Sequence, residues 1–188
     1  MYDKAEEYNP RVKKTFAKFI FRFVDLFLTR NDVPFFGNIA RKIRCFLARR
    51  ISKGIEKGAV IEKGAIIVPG VSCAKYGAIG INCVTCWGLH IGENTMMGPN
   101  CRFYSFSHKR AEKGKKVFCG FESPEPIYIG RDCWIGYNSV VTKGVTVKEG
   151  VTIGALSVVT HDVPAFSLVA GVPAVVKKQY KIPEGYYE

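Results

Sequence analysis

The sequence lacks an apolar run long enough to cross a bilayer. Its most apolar early stretch, FAKFIFRFVDLFL, is interrupted by Lys18, Arg22 and Asp25 and falls short of the roughly 20 apolar residues that a spanning helix needs. No secretory signal peptide is recognisable. The seven cysteines are an odd number without the spacing of a disulfide framework. These absences indicate a cytoplasmic protein in a reducing compartment.

Histidine is also scarce, with only three residues in the chain, none of them close together in sequence. Such spacing disfavours a metal site built from neighbouring histidines. The segment CVTC, from Cys83 to Cys86, has the spacing of half a zinc knuckle, but no second pair follows it. We therefore expect no metal.

Acidic residues are few: 16 Asp and Glu stand against 28 Lys and Arg, a formal net charge of +12. This excess favours an anionic partner, namely a phosphate-bearing ligand, an acidic protein, a membrane surface or nucleic acid. No known nucleic-acid-binding motif is present, so we do not expect nucleic acid. A length of 188 residues and 47% apolar content fit one globular domain.

A six-residue period runs through most of the chain. From Ile129 to Pro164 it reads IGRDCW, IGYNSV, VTKGVT, VKEGVT, IGALSV and VTHDVP, and nine further blocks run from Ile55 to His108. Twenty residues, Lys109–Tyr128, interrupt it. A fixed six-residue period is typical of a parallel β-helix, with the first and fifth residues of each block pointing inward. The pattern predicts an all-β solenoid of about five coils, and a sandwich with period two fits less well.

From about Gly88 to Lys178 the chain resembles the hexapeptide-repeat acyltransferases, within them the galactoside/maltose-type and polysaccharide O-acetyltransferases. The resemblance rests on HIGENTMMGPNCRFYSFSH, PIYIGRDCWIGYNSVVTKGVTVKEGVTIGALSVVTHDVP and AGVPAVVKK, in this order. It implies a left-handed parallel β-helix, acetyl-CoA as co-substrate, and a homotrimer with active sites between neighbouring prisms. The repeat itself does not determine handedness.

The resemblance also implies site residues. His108, directly before the interruption, matches the family's catalytic histidine, and an imidazole suits a general base at neutral pH. Matching cofactor positions are Gly136, Tyr137, Ala155, Thr160, His161, Lys177 and Lys178. Val175 stands where relatives often have a phosphate-contacting Arg. His90 lies one coil before His108, so we expect the two to stack, with His90 either orienting His108 or only occupying a corner.

The acceptor side departs from the family pattern. Ala78 and Cys86 fall where sugar-acetylating relatives place Asn and Asp. We therefore expect a carbohydrate acceptor to be held by other groups, with Asn82 and Tyr104 as candidates.

The segment 1–54 precedes the β-helix domain, 55–164, and a tail, 165–188, follows it. Two amphipathic helices are predicted within residues 1–54. The first has Phe16, Ile20, Phe23 and Phe27 on one face, and the second has Ile39, Ile43, Phe46 and Leu47. Residues 1–53 carry 13 Lys and Arg against 5 Asp and Glu. The segment is interpreted as a cap on the open end of the prism or as a peripheral contact with the inner membrane face.

The sequence thus predicts an acetyl-CoA-dependent O-acetyltransferase acting on a carbohydrate hydroxyl of a polysaccharide or glycan unit. Two alternatives stay open. One is an acyltransferase that takes its acyl group from an acyl-carrier protein, whose acidic surface would suit the basic charge. The other is a non-catalytic β-helix scaffold at a membrane.

Overall fold

The computed structural model describes residues 13–110 and 120–187. Two helices come first, α1 (Lys13–Phe27) and α2 (Phe36–Ile51). Short strands follow: β1 (Gly54–Ile55), β2 (Val60–Ile61), β3 (Ser72–Cys73), β4 (Ala78–Ile79), β5 (Leu89–Ile91), β6 (Met96–Met97), β7 (Arg102–Phe103), β8 (Ile127–Ile129), β9 (Trp134–Ile135), β10 (Val140–Val141), β11 (Thr146–Val147), β12 (Thr152–Ile153), β13 (Val158–Val159), β14 (Ser167–Gly171) and β15 (Ala174–Gln179). Within the described ranges no helix is long and apolar enough to span a membrane.

The strands form three faces of a prism, and successive strands within each face run parallel. Face one contains β1, β3, β5, β8 and β11; face two contains β2 and β4, then β6, β9, β12 and β14; face three contains β7, β10 and β13. Ile55 pairs with Cys73, and Cys73 pairs with Ile91. Each step is 18 residues, or three six-residue blocks, so block-opening residues lie directly above one another.

The interior follows the predicted pattern. Block-opening residues such as Ile61, Ile79 and Ile135 are fully buried, and small fifth residues such as Ala65, Cys83 and Ser139 are buried beside them. Burial raises the pKa of the thiols of Cys86 and Cys133 to about 11. These thiols therefore stay protonated at neutral pH and act as small core residues rather than nucleophiles.

The fourth residue of most blocks forms a corner with positive φ. One column contains Gly64, Asn82, Asn100, Asn138 and Leu156, with φ of 76°, 54°, 62°, 54° and 61°. Glycine has no Cβ to clash in this region, and asparagine tolerates it better than most residues. Leu156 is the branched exception, and its side chain is exposed.

Replacing Leu156 by Asn should raise the free energy of unfolding by about 1 kcal/mol, because the left-handed conformation costs an ordinary residue roughly 1–2 kcal/mol. Little buried apolar area is lost, since the leucine side chain is 61% exposed. Guanidinium unfolding of the two proteins measures the difference. An equal or lower stability of Leu156→Asn would show that the leucine makes a compensating contact.

The interruption of the repeat lies two residues earlier than the sequence predicts. Leu89 pairs with Ile127 and His90 with Tyr128, so Ile127 and Tyr128 already belong to face one rather than to a loop at 109–128. Ser107, expected to point inward at the fifth position, is exposed. The buried Ile127 takes its place opposite Leu89. An aliphatic side chain fills that layer better than a hydroxyl, so residues 107–126 form the excursion. Most of its basic part, 111–119, lies outside the described residues.

The N-terminal helices pack through other faces than the sequence predicts. Phe16, Phe23 and Phe27 of α1 are exposed, as are Ile39 and Phe46 of α2. The buried residues are Phe21 and Asp25 of α1 and, on α2, Ala40, Arg44, Cys45, Ala48 and Ile51. Helix α2 contacts β1 and β2 at the first coil, and α1 contacts α2.

The buried contact between the helices is an ion pair. The Arg44 guanidinium is fully buried and bonds the Asp25 carboxylate. It also donates to Asn31 Oδ1 at 2.8 Å and to the Thr29 carbonyl at 2.6 Å. The second Asp25 oxygen accepts from the Gly64 N–H at 2.8 Å. This network joins both helices to the first coil.

The segment predicted as a tail, 165–188, contains two strands. β14 pairs with β12 in parallel and extends face two, and β15 pairs with β14 in antiparallel orientation. Farther on, the Tyr186 hydroxyl bonds Asp132 at 2.5 Å and the Tyr187 hydroxyl bonds Glu149 at 2.6 Å. The C-terminal segment is therefore fixed to the side of the prism.

Candidate active site

His108 lies on the first limb of the excursion, not on the prism. It forms an antiparallel bridge with Phe121 on the returning limb. The Glu122 N–H donates to the Ser107 carbonyl at 2.8 Å, and the Lys109 N–H donates to the Gly120 carbonyl at 3.0 Å. The imidazole is exposed, and its centroid lies 4.6 Å from that of the Phe121 ring. A short paired stem therefore presents His108 at the surface.

The returning limb is attached to the next coil by Lys143. Its ammonium group bonds both Glu122 and Glu125, the latter at 2.9 Å. The hydrogen bond to Glu122 raises the pKa of Lys143, and the same bond lowers the pKa of the Glu122 carboxyl. The exposed pairs are weak one by one, but together with the stem they restrain the limb that contacts His108. Sequence reasoning missed Phe121 and Lys143, because neither has a signature in the repeat.

His90 does not stack on His108, which corrects the expectation from their 18-residue spacing. Its register partner is Tyr128, because the chain leaves face three before His108 and rejoins face one at Ile127. The His90 ring stacks on the Tyr128 ring at 4.7 Å, and His90 Nδ1 shares a hydrogen bond with Ser72 Oγ at 2.7 Å. His90 is thus held on face one and does not orient His108 through that stack.

Tyr137 and Ala155 lie one above the other at the corner between faces two and three. Each follows a buried or half-buried glycine, Gly136 or Gly154, and both side chains are exposed. A Cβ at Gly136 would lie 2.5 Å from the Ala155 nitrogen, and one at Gly98 would lie 2.8 Å from the Tyr137 nitrogen. Successive coils therefore approach closely along this column of glycines, so the surface beside Tyr137 and Ala155 consists mainly of backbone atoms.

The other expected cofactor residues gather near the last coil. Thr160 and His161 follow β13, and Thr160 Oγ1 lies 2.9 Å from His161 Nδ1. Strand β15 contacts β13 and carries Lys177 and Lys178. Lys178 pairs with Leu168, and the register then shifts, so that Lys177 occupies a bulge. Both lysine side chains are exposed.

The acceptor candidates lie in different settings. Asn82 is a corner residue with φ of 54°, whose N–H donates to the Lys63 carbonyl at 3.0 Å. This gives Asn82 a turn-forming role. Tyr104 follows β7, four residues before His108, and is exposed. Within the described ranges no group of three or more His, Cys, Asp and Glu is arranged to hold a metal ion.

One chain does not bring His108 and the corner at Tyr137 and Ala155 to the same edge, although Thr160 and His161 follow face three as His108 does. His108 leaves the prism between faces three and one, whereas Tyr137 and Ala155 lie between faces two and three.

Comparison with known proteins identifies the repeat. Residues 126–161 match the family of bacterial transferase hexapeptide (six repeats). This part of the chain carries the bacterial transferase hexapeptide repeat. The resemblance to hexapeptide-repeat acyltransferases is thereby confirmed.

Proteins similar in sequence to this chain are named as acetyltransferases. A Schizosaccharomyces pombe protein named as an acetyltransferase is 42% identical over 86 residues, 46% of this chain and 41% of that protein. The galactoside O-acetyltransferase of Escherichia coli is 31% identical over 112 residues, 60% of this chain and 54% of the enzyme. The chain spans about half the length of the curated relatives it matches.

Solved structures show the shared fold. A hexapeptide-repeat acetyltransferase from Vibrio cholerae superimposes with a TM-score of 0.72 at 24% identity, covering 92% of this chain and 96% of that chain. It has also been solved with acetyl coenzyme A. Hexapeptide-repeat neighbours of this kind imply a left-handed β-helix.

Proposed function

We propose that this chain is an acetyl-CoA-dependent O-acetyltransferase that acts on a carbohydrate hydroxyl. The observation that carries the proposal is the exposed His108 imidazole, presented by a paired stem beside a prism whose relatives are acetyltransferases. The acetyl-CoA complex of the Vibrio cholerae neighbour supports the choice of donor. The galactoside acceptor of the Escherichia coli relative supports the choice of acceptor class.

The reaction follows from the chemistry of the groups. The His108 imidazole accepts the acceptor's hydroxyl proton as that oxygen attacks the thioester carbonyl of acetyl-CoA. The tetrahedral oxyanion is stabilised by backbone N–H groups, for which the corner at Tyr137 and Ala155 is suited. The carbon–sulfur bond then breaks, the imidazolium returns its proton to the departing thiolate, and an acetyl ester and free coenzyme A result.

The separation of the two edges supports a site between subunits. In a homotrimer of prisms, each of about five coils, the His108 edge of one subunit faces the Tyr137 and Ala155 edge of its neighbour. Cyclic symmetry then produces three equivalent sites from one type of contact. Phe121 restrains the imidazole, and Tyr104, four residues upstream on the same segment, is the nearest of the proposed acceptor contacts in sequence.

A thiol-release assay tests the proposal. The full chain is supplied with acetyl-CoA and a panel of sugars that includes galactosides and maltose, and free coenzyme A and acetylated sugar are measured together. Equal amounts of both products from at least one sugar support the proposal. Transfer only from acetylated acyl-carrier protein would instead support the alternative donor, and no transfer from either donor would favour the scaffold.

Lys177 and Lys178 should contribute to binding of the nucleotide end of acetyl-CoA. If they contact the 3′-phosphate, replacing both by Ala should weaken acetyl-CoA binding by at least about tenfold, in line with the roughly 1.5–3 kcal/mol typical of hydrogen bonds to charged groups. Dephospho-acetyl-CoA should be affected much less. Titration calorimetry with both ligands checks this. Equal weakening of both would show that the lysines do not contact that phosphate, and Lys181→Ala serves as the exposed control.

A further inference from the structure

The first helix presents its most apolar side to solvent. Phe16, Phe19, Phe23, Leu26 and Phe27 are 54–75% exposed. The rings of Phe19 and Phe23 lie 6.2 Å apart, and those of Phe23 and Phe27 lie 5.4 Å apart, so they form a continuous row. We call these five residues the aromatic face of α1. Singly exposed apolar residues are ordinary, but a contiguous row is typical of an interaction site.

The aromatic face is not turned toward the prism. Phe21 and Asp25 are the buried residues of α1. At 100° per residue they point away from Phe19, Phe23 and Phe27. The buried side is already occupied by Arg44 and its network. Within the described ranges, the aromatic face therefore has no place in the intramolecular core.

The charge of the segment that carries this face is almost entirely positive. Residues 13–53 contain 11 Lys and Arg and only two acids, Asp25 and Asp32. Both acids are taken up in ion pairs, with Arg44 and Arg30 respectively. Exposed cations remain on both helices and directly after the second: Arg22, Arg41, Lys42, Arg49, Arg50 and Lys53. Arg50 lies 4.5 Å from the centroid of the exposed Phe46 ring, so cations and aromatic rings share the outer side of α2.

We propose that the aromatic face of α1 docks on an anionic lipid surface. A helix with a phenylalanine-rich face and a basic remainder lies in the headgroup region, where rings enter the acyl boundary and cations meet anionic headgroups. A second copy of the same surface is a poorer occupant, because two such basic segments repel each other. The proposal does not depend on acetyl transfer, and it places any product of the enzyme at a membrane.

Vesicle sedimentation of the full chain tests the proposal. The protein is mixed with vesicles of phosphatidylcholine alone or of phosphatidylcholine with phosphatidylglycerol. We expect binding to the anionic vesicles only, and release near 1 M salt, where the Debye length is about 3 Å. The variant Phe19→Ser/Phe23→Ser should bind at least about tenfold more weakly, because each buried apolar side chain contributes strongly to interfacial binding. Arg49→Gln/Arg50→Gln should lose about fivefold per cation.

The matched control is Val172→Ser/Ile182→Ser, which removes two equally exposed apolar side chains away from the helices. It should bind as the unaltered chain does. Failure to bind anionic vesicles, or equal binding by the Phe19→Ser/Phe23→Ser variant, would overturn the proposal. A lower oligomeric state of that variant without vesicles would overturn it as well, since a second copy would then cover the face.

Discussion

His108→Ala should lower turnover by about 10²–10⁴-fold, the usual contribution of a positioned general base. Affinity for acetyl-CoA should change little, because a general base contacts the acceptor's hydroxyl and not the cofactor arm. His108→Gln should be as inactive as the Ala variant, because an amide cannot accept the proton at neutral pH. Steady-state kinetics with the best sugar, together with acetyl-CoA titration, separates the two effects.

His90→Ala is the matched control for this experiment. It removes a different imidazole, a half-buried one that contacts Ser72 and Tyr128 on face one. Turnover of the control should stay within a few-fold of the unaltered chain. Near-normal turnover of His108→Ala, or an equal loss in both variants, would contradict the role of His108 as base.

Asp25→Ala should be the most destabilising of the single substitutions considered. It leaves the fully buried Arg44 guanidinium without its counter-charge and the Gly64 N–H without its acceptor. Breaking a buried pair by removing one partner costs about 3–5 kcal/mol. Guanidinium denaturation should therefore show a large fall in the unfolding midpoint, accompanied by loss of helical signal.

Asp32→Ala provides the comparison for that measurement. Asp32 pairs with Arg30 at 2.9 Å, but both side chains are more than half exposed, so the loss should be at most about 1 kcal/mol. If the two variants were equally stable, the buried pair would not be what holds the helices to the first coil.

The prism could be predicted from the sequence because every inward position is repeated in each block. The block-opening position is filled by a buried isoleucine at Ile61, Ile79 and Ile135. A single polar residue at this position, such as the buried Thr85, does not shift the register. The corner residues are equally regular: Gly, Asn and Asp recur where φ is positive.

The point at which the chain leaves the prism could not be predicted in the same way. Ser107 and Ile127 both satisfy the fifth position as residue types, and only packing against Leu89 selects Ile127. That choice moves His108 from a corner of the prism to the stem, where Phe121 contacts it. Counting 18 residues from His90 therefore predicted His108 as its neighbour, whereas its neighbour is Tyr128.

The prediction of which helix faces are buried was wrong for a different reason. A 3.6-residue period reveals that α1 has an apolar face, but it does not say whether protein or another surface covers it. The buried residues of α1 are a single Phe21 and a carboxylate, Asp25, whose partner Arg44 lies 19 residues away. A buried ion pair between distant residues has no signature in hydrophobic periodicity.

The central claim is that one subunit's His108 acts on a thioester held by its neighbour. Subunit complementation tests it most directly. His108→Ala and Ala155→Trp, the latter filling the cofactor corner with an indole, should each be inactive as pure proteins. Unfolded together in equal amounts and refolded, they should regain about one quarter of the unaltered activity, because one site in four, averaged over randomly assembled trimers, joins an intact His108 to an intact corner. No recovery, under conditions where the unaltered chain refolds to full activity, would contradict a site shared between subunits.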